Sequence, residues 1–216
     1  MTTTPGLAEP QQERSRRSFA RVRQATMKLL LEHGGPDFTL ADVSAASAVS
    51  VGSIYGRVGN KANLLRLVQT EEFDRVDEEM KTALRTAGSA DEPFEHAVQA
   101  VVASAVRPLV TNAPVIRAFM RLGDDDEEAA RRGSISWETG RDEFCRALAR
   151  ITCRDRPGVD RTALEWCYEV VYSVTARQLG FGLTPGGRPD AVMKTDKLVD
   201  ALGRTVRLML DEGAED

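Results

Sequence analysis

Residues 38 to 65 read FTLADVSAASAVSVGSIYGRVGNKANLL, and three helix starts follow one another within this stretch. Thr39 is a good N-cap, with Asp42 three residues on as a variant of the capping box. The helix it opens carries Leu40, Val43 and Ala46 on one face. Ser50 caps a second short helix with Ile54 and Tyr55 on its apolar side, which leaves only Ser47, Ala48 and Val49 to turn between the two. Two helices of about two turns separated by three or four residues form a helix-turn-helix, with Val49 as the plug between them. After Gly59, Asn60 caps a long helix through Leu64, Leu67, Val68 and Phe73 to about Thr86, where Gly88-Ser89-Ala90 breaks it.

Upstream, Phe19, Val22, Ala25, Leu29 and Leu30 recur at helical spacing between Arg16 and His33, and Gly34-Gly35-Pro36 ends the run. Residues 1–15 hold Pro5, Gly6 and Pro10 without apolar period, and they read as a disordered tail. Downstream, Pro93 to Leu109, Ala113 to Leu122, Glu127 to Thr152, Asp160 to Leu179 and Thr195 to Asp211 each show a period near 3.6, and no sustained alternation marks a strand. The expected fold is all-α, with about nine helices. A three-helix helix-turn-helix domain spans 16–66 and a larger helical domain spans 67–216. Residues 180 to 192, GFGLTPGGRPDAV, read as a mobile loop between the last two helices.

The chain has 216 residues, 29 Lys and Arg against 33 Asp and Glu, and a net charge of −4. That sum hides a split. Residues 1–66 carry nine basic and five acidic groups, a net +4, so the remaining 150 residues carry −8. Such asymmetry points to a nucleic-acid-binding module joined to something else. No run approaches the roughly 18 apolar residues of a membrane span, so a soluble, cytoplasmic protein is expected. Cys145, Cys153 and Cys167 form no C-x-x-C pair and signal neither a disulfide framework nor a zinc site.

Residues 16–68 resemble the DNA-binding domain of the tetracycline-repressor (TetR) family of bacterial transcription regulators. Thr39, the run Val49-Ser50-Val51-Gly52-Ser53-Ile54-Tyr55, and Lys61 with Leu64-Leu65 carry the resemblance. Three positions depart from the family pattern. Ala48 stands where glycine is usual, Val58 replaces the aromatic before the long helix, and Gly56-Arg57 fills a pair where aromatic or imidazole side chains are common.

The residues themselves suit a DNA contact. Ser50, Val51, Gly52 and Ser53 are small, so the start of the third helix can enter a major groove about 12 Å wide, where hydroxyls and the Val51 methyls meet base edges. Thr39 sits at a helix N-terminus, which favours a phosphate. Tyr55 and Lys61 can reach phosphates on either side of the reading helix, and Arg57, with Arg14, Arg16 and Arg17, can add further backbone contacts.

A short reading helix covers few base pairs, so a homodimer on a palindromic DNA operator is expected. The resemblance implies that it closes through the last two helices. The stripes Leu198, Leu202, Val206, Met209 and Leu164, Tyr168, Val171, Thr175 are the candidate contacts. It also implies a pocket for a small-molecule effector, for which Phe119, Met120, Trp137, Phe144, Trp166 and Tyr172 are candidates, with Cys145, Cys167 and Gln178 as polar handles. The function expected is a ligand-responsive regulator, most often a repressor, with no enzymatic activity, cofactor or metal. The acidic run Asp124 to Glu128 belongs to a helix start, where acids suit the dipole, and no second carboxylate cluster completes a metal site. The alternative is a helical dimer that binds a ligand or protein without sequence-specific DNA binding.

Overall fold

Capping chemistry sets most of the helix ends. In the computed structural model, which describes residues 8–153, 156, 158–181 and 193–212, nine α-helices and no strand occur among the described residues. They are α1 (Ala8–His33), α2 (Leu40–Ser47), α3 (Val51–Val58), α4 (Lys61–Thr86), α5 (Phe94–Thr111), α6 (Ala113–Gly123), α7 (Glu127–Thr152), α8 (Arg161–Leu179) and α9 (Thr195–Glu212). The chain divides into two compact units, one reaching to Glu71 and the other starting at Glu72. The division falls inside α4, a little beyond the boundary expected at 66.

The first unit contains α1 to α3 and the opening turns of α4. Helix α1 begins at Ala8, so residues 8–15, expected in a disordered tail, are helical. Pro10 lies in the first turn, where a missing N–H costs no intrahelical bond, and Arg17 pairs with Glu13 one turn earlier at 2.8 Å. Residues 1–7 lie outside the described residues. Val22, Leu30, Phe38, Val43 and Ile54 form the buried centre, and the Thr26 hydroxyl in α1 donates to the Val22 carbonyl at 2.8 Å. On α2 the buried positions are Val43 and Ser47, one turn apart, while Ala46, expected on that face, is exposed.

In the second unit, α5 packs on α7, α8 and α9, while α6 lies on α7. Small and β-branched residues line the buried face of α5 (Ala97, Val98, Val101, Val102, Ala105, Val106) and let neighbouring helices approach closely. Gly140 on α7 serves the same end, because a methyl there would sit 2.5 Å from the Tyr168 hydroxyl. Asn112 joins the α5–α6 corner to α4. Its side-chain amide donates to the carbonyl of Pro108 and to Glu79, and its side-chain oxygen accepts from Arg75 at 2.8 Å. Arg132 on α7 reaches Asp74 at 2.8 Å and Asp77 at 2.9 Å on α4, and the Ser136 hydroxyl also donates to Asp77.

The acidic run is spent on helix ends. Asp124 follows α6, the Asp126 side chain accepts from the Ala129 N–H to cap α7, and Glu127 and Glu128 occupy the first turn. The two stripes expected at a dimer contact are instead part of the chain's own core. Leu198, Leu202, Val206, Leu164, Tyr168, Val171 and Thr175 are all buried, and Met209 is half-buried against the same core. A 3.6 period shows which residues share a face, and the large core of α5, α7, α8 and α9 takes that face. The loop expected at 180 to 192 lies, from 182 onward, outside the described residues.

Candidate nucleic-acid interface

Three consecutive caps position the reading helix. The Thr39 hydroxyl accepts the Asp42 N–H at 3.2 Å, and the Asp42 carboxylate accepts the Thr39 N–H at 2.7 Å, a complete capping box. The Thr39 hydroxyl also donates to that carboxylate at 2.7 Å, and the two bonds it accepts, first from the Thr39 backbone and then from the hydroxyl, hold the Asp42 carboxyl below the usual carboxylate range. They also occupy the Thr39 N–H, so an anion at this terminus would meet the amides of Leu40 and Ala41, the donors that the capping box leaves over.

Helix α2 ends at Ala48, whose φ of 52° and ψ of 38° lie in the left-handed region. Glycine is the residue suited to this conformation, and alanine holds it at a cost of about 1 kcal/mol. The Ser50 side chain then accepts the Ser53 N–H at 3.2 Å and lies 2.8 Å from the Ser53 hydroxyl. Both serines expected at base edges are thus engaged with each other at the cap. Gly59, with φ of 78°, ends α3 by donating to the Tyr55 carbonyl, and the Asn60 side chain caps α4 through the Asn63 N–H at 2.8 Å.

Helix α3 anchors itself by Ile54, which is 1% exposed, and turns its other side outward. Val51 is 41% and Tyr55 61% exposed, so Tyr55, which shares the apolar side with Ile54 by sequence, lies outside the core, where a side chain expected to reach phosphate has to be. Gly52 and Gly56, four residues apart, share this outer face. Neither has a positive φ, and a methyl added to either would meet no atom within 4 Å. A glycine inside a helix costs about 1 kcal/mol relative to alanine, and nothing within the chain requires either one.

The expected cations are only partly free. The Lys61 ammonium donates to the Pro36 carbonyl and lies 5.1 Å from the centre of the Phe38 ring. Arg57 donates through Nη1 to the Ser15 carbonyl at 3.1 Å and to its hydroxyl at 2.8 Å, with its guanidinium 4.3 Å from the Phe19 ring centre. Ser15 falls within the stretch expected to be a tail, and no local pattern links it to a residue 42 positions away. Between α1 and α3 lies a cleft of about 580 Å³, with Phe19, Val22 and Ile54 among its apolar lining and Arg14, Ser18 and Arg57 among its polar lining.

Of the effector-pocket candidates in the second unit, Trp137, Phe144 and Tyr172 come together around Tyr168, at centroid separations of 5.5–6.4 Å. Sequence reasoning placed Tyr168 in the dimer stripe because its helical register matched Leu164 and Val171. Phe119 instead packs edge-on against Phe73, and Met120 is half-buried. Trp166 is 62% exposed and lines no core. Burial pushes the Cys145 thiol up to about 11 and the Cys167 thiol up to about 12, so both stay protonated at neutral pH. Gln178 accepts the Met193 N–H. Among the described residues no group of three or more His, Cys, Asp or Glu could hold a metal ion, and no helix is long and apolar enough to cross a membrane.

No family model matches the sequence, and no curated protein does. Solved structures do match. A proposed TetR-family transcriptional regulator from Mesorhizobium loti superposes with a TM-score of 0.70 at 13% identity, covering 92% of this chain and 98% of that one. FadR from Bacillus subtilis, a transcriptional regulator solved in complex with stearoyl-CoA, gives 0.60 at 15% identity over 90% and 98%. The TetR-family regulator PfmR from Thermus thermophilus gives 0.57 at 18% identity over 86% and 96%. The proteins that this chain resembles are transcriptional regulators, and its all-α architecture is the fold of the TetR family.

Proposed function

We propose that this chain is a TetR-family transcriptional regulator that binds a palindromic DNA operator as a homodimer, acts as a repressor, and is released by a small molecule bound in the unit from Glu72 onward. The observation that carries the DNA reading is the outer face of α3. Val51 and Tyr55 are exposed there beside two glycines that the fold does not need. An isolated protein gains nothing from an exposed tyrosine and two destabilising glycines on one helix face, whereas a helix that lies in a major groove gains contact and clearance. The net +4 of residues 1–66 supplies the attraction to phosphate.

Dimer closure would use the outer faces of α8 and α9, where Trp166, Val174 and Leu208 are exposed. The effector would lie among the helices that hold Trp137, Phe144, Tyr168 and Tyr172. FadR from Bacillus subtilis, with its stearoyl-CoA, supports an effector with a long apolar part here too. An effector that favours the DNA-incompetent conformation by about 1–3 kcal/mol would change occupancy by about 5- to 150-fold.

The test is retention of genomic DNA fragments by the purified chain across a salt series. The expected result is selective retention of a fragment, weakening steeply as salt rises, with a shallower dependence in Lys61→Ala. If no fragment is retained at low salt, the DNA reading fails and the helical ligand- or protein-binding dimer takes its place.

A further inference from the structure

Two side-chain atoms of the second unit are buried with no hydrogen-bond partner among the described residues, Nη1 of Arg132 on α7 and the hydroxyl of Thr175 on α8. An unpaired buried polar group destabilises a fold, so native chains leave few of them. Thr26 and Thr152, also buried in their helices, each donate to the carbonyl four residues earlier, and Thr175 does not. Arg132 spends Nη2 on Asp74 and Asp77, and its guanidinium lies 5.4 Å from the centre of the Phe73 ring. Gly133 beside it has no positive φ, and a methyl there would meet a single neighbour, the Phe73 ring at 4.0 Å. Glycine weakens a helix interior, so this one keeps room next to the ring that Arg132 covers.

The three residues border one region. Phe144 meets Tyr168 and, nearer the start of α7, Trp137 meets Tyr172, so α7 and α8 run antiparallel. Arg132 stands five residues before Trp137 and Thr175 three after Tyr172. Both are thereby displaced toward the same end of the helix pair, by roughly 7.5 and 4.5 Å at a rise of about 1.5 Å per residue. Two unpaired polar atoms beside the rings of Phe73, Trp137 and Tyr172 match the composition of a small-molecule seat, mostly apolar with few fixed polar contacts.

Charge decides what the head of that molecule is. Nη1 can only donate, so it needs an acceptor. The Arg132 cation is already matched by the nearly buried Asp77, with Asp74 beside it, so a carboxylate or phosphate here would crowd a third anion around one cation. A carbonyl oxygen satisfies Nη1 without that repulsion. We propose that the effector is an uncharged carbonyl compound whose oxygen accepts from Nη1 of Arg132. Its flat apolar body lies against Phe73, Trp137 and Tyr172 in the room left by Gly133, and a second polar group meets the Thr175 hydroxyl. Such a ligand presupposes the effector-binding reading above.

Equilibrium dialysis of the full chain with three probes tests this, with Tm recorded for each variant. The probes are 4-acetyl-4′-hydroxybiphenyl, its 4-ethyl counterpart, which lacks the carbonyl, and its 4-carboxylate counterpart, which carries a charge. In the wild type the acetyl probe should bind about tenfold tighter than either counterpart, the effect of one hydrogen bond to a charged donor. Arg132→Lys keeps a cation for Asp77 and should remove the advantage of acetyl over ethyl. Thr175→Val should weaken the acetyl and ethyl probes alike several-fold without lowering Tm, because it also removes an unpaired hydroxyl. Gly133→Leu should weaken all three probes while the chain stays folded. An ethyl or carboxylate probe that binds the wild type as tightly as the acetyl probe would overturn the proposal, and so would an acetyl advantage that survives Arg132→Lys. Unchanged binding in Thr175→Val and Gly133→Leu would place the probes elsewhere and overturn it too. If none of the three probes binds the wild type, the effector reading for these helices falls and takes the proposal with it.

Discussion

Ala48 carries a left-handed backbone without the glycine that suits it, and its methyl is exposed. Ala48→Gly should therefore stabilise the first unit. The gain from relieving the left-handed alanine, about 1 kcal/mol, is reduced by the extra freedom that glycine brings to the unfolded chain. Chemical denaturation of the two proteins checks this, and a loss of stability would contradict the strain argument. This position was legible beforehand, since a three-residue turn between two helices forces one residue out of the right-handed region. Tyr55 was not. Periodicity groups it with Ile54 as apolar, but only packing shows that Ile54 fills the core and leaves the tyrosine in water.

At the scale of elements, the helix ends were the most legible feature, because a cap is a local interaction between residues three apart. Thr39, Ser50 and Asn60 each accept a backbone N–H as the caps expected of them, and Asp126 and Asp160, which had marked helix starts without a capping role, do the same. The start of α1 was hidden because two prolines and a glycine near the terminus outweigh the helix-favouring Gln11, Gln12 and Glu13. Between elements, the charged cluster that joins α4 to α7 was invisible, since Asp77 and Arg132 are 55 residues apart. Both side chains are nearly buried, at 11% and 12% exposure. Asp77→Ala strips Arg132 of its better-buried partner and leaves it only the exposed Asp74, so the loss of this charged hydrogen bond should cost about 2 kcal/mol. The cost should be smaller in Arg132→Met with Asp77→Ala, where no charge is stranded. Thermal unfolding of the single and double variants measures the difference, and equal losses would show that the pair contributes only packing.

For the whole molecule, the relation between chains was the least legible from sequence. The pattern in α8 and α9 marks the correct amphipathic faces but could not tell a face turned to the chain's own core from one turned to a second copy. The residues left outside are Trp166, Val174 and Leu208. If they form the dimer contact proposed above, Trp166→Asp with Leu208→Asp should yield a folded monomer in analytical ultracentrifugation. Such a monomer should bind DNA far more weakly, because two half-sites are no longer held by one particle. An unchanged mass would move the contact elsewhere.

The division of the chain inside α4 also governs how it can be cut. No irregular segment separates Glu71 from Glu72, so a protease that needs an extended substrate has nowhere to act at that junction. The nearest irregular backbone beyond it is at 87–93. A cut there releases an amino-terminal fragment that keeps all of α4, including Val76, Met80 and Leu84, which are buried in the intact chain. The shortest fragment that limited digestion can make of the DNA-reading unit would thus carry a helix with a bare apolar face and be prone to clump.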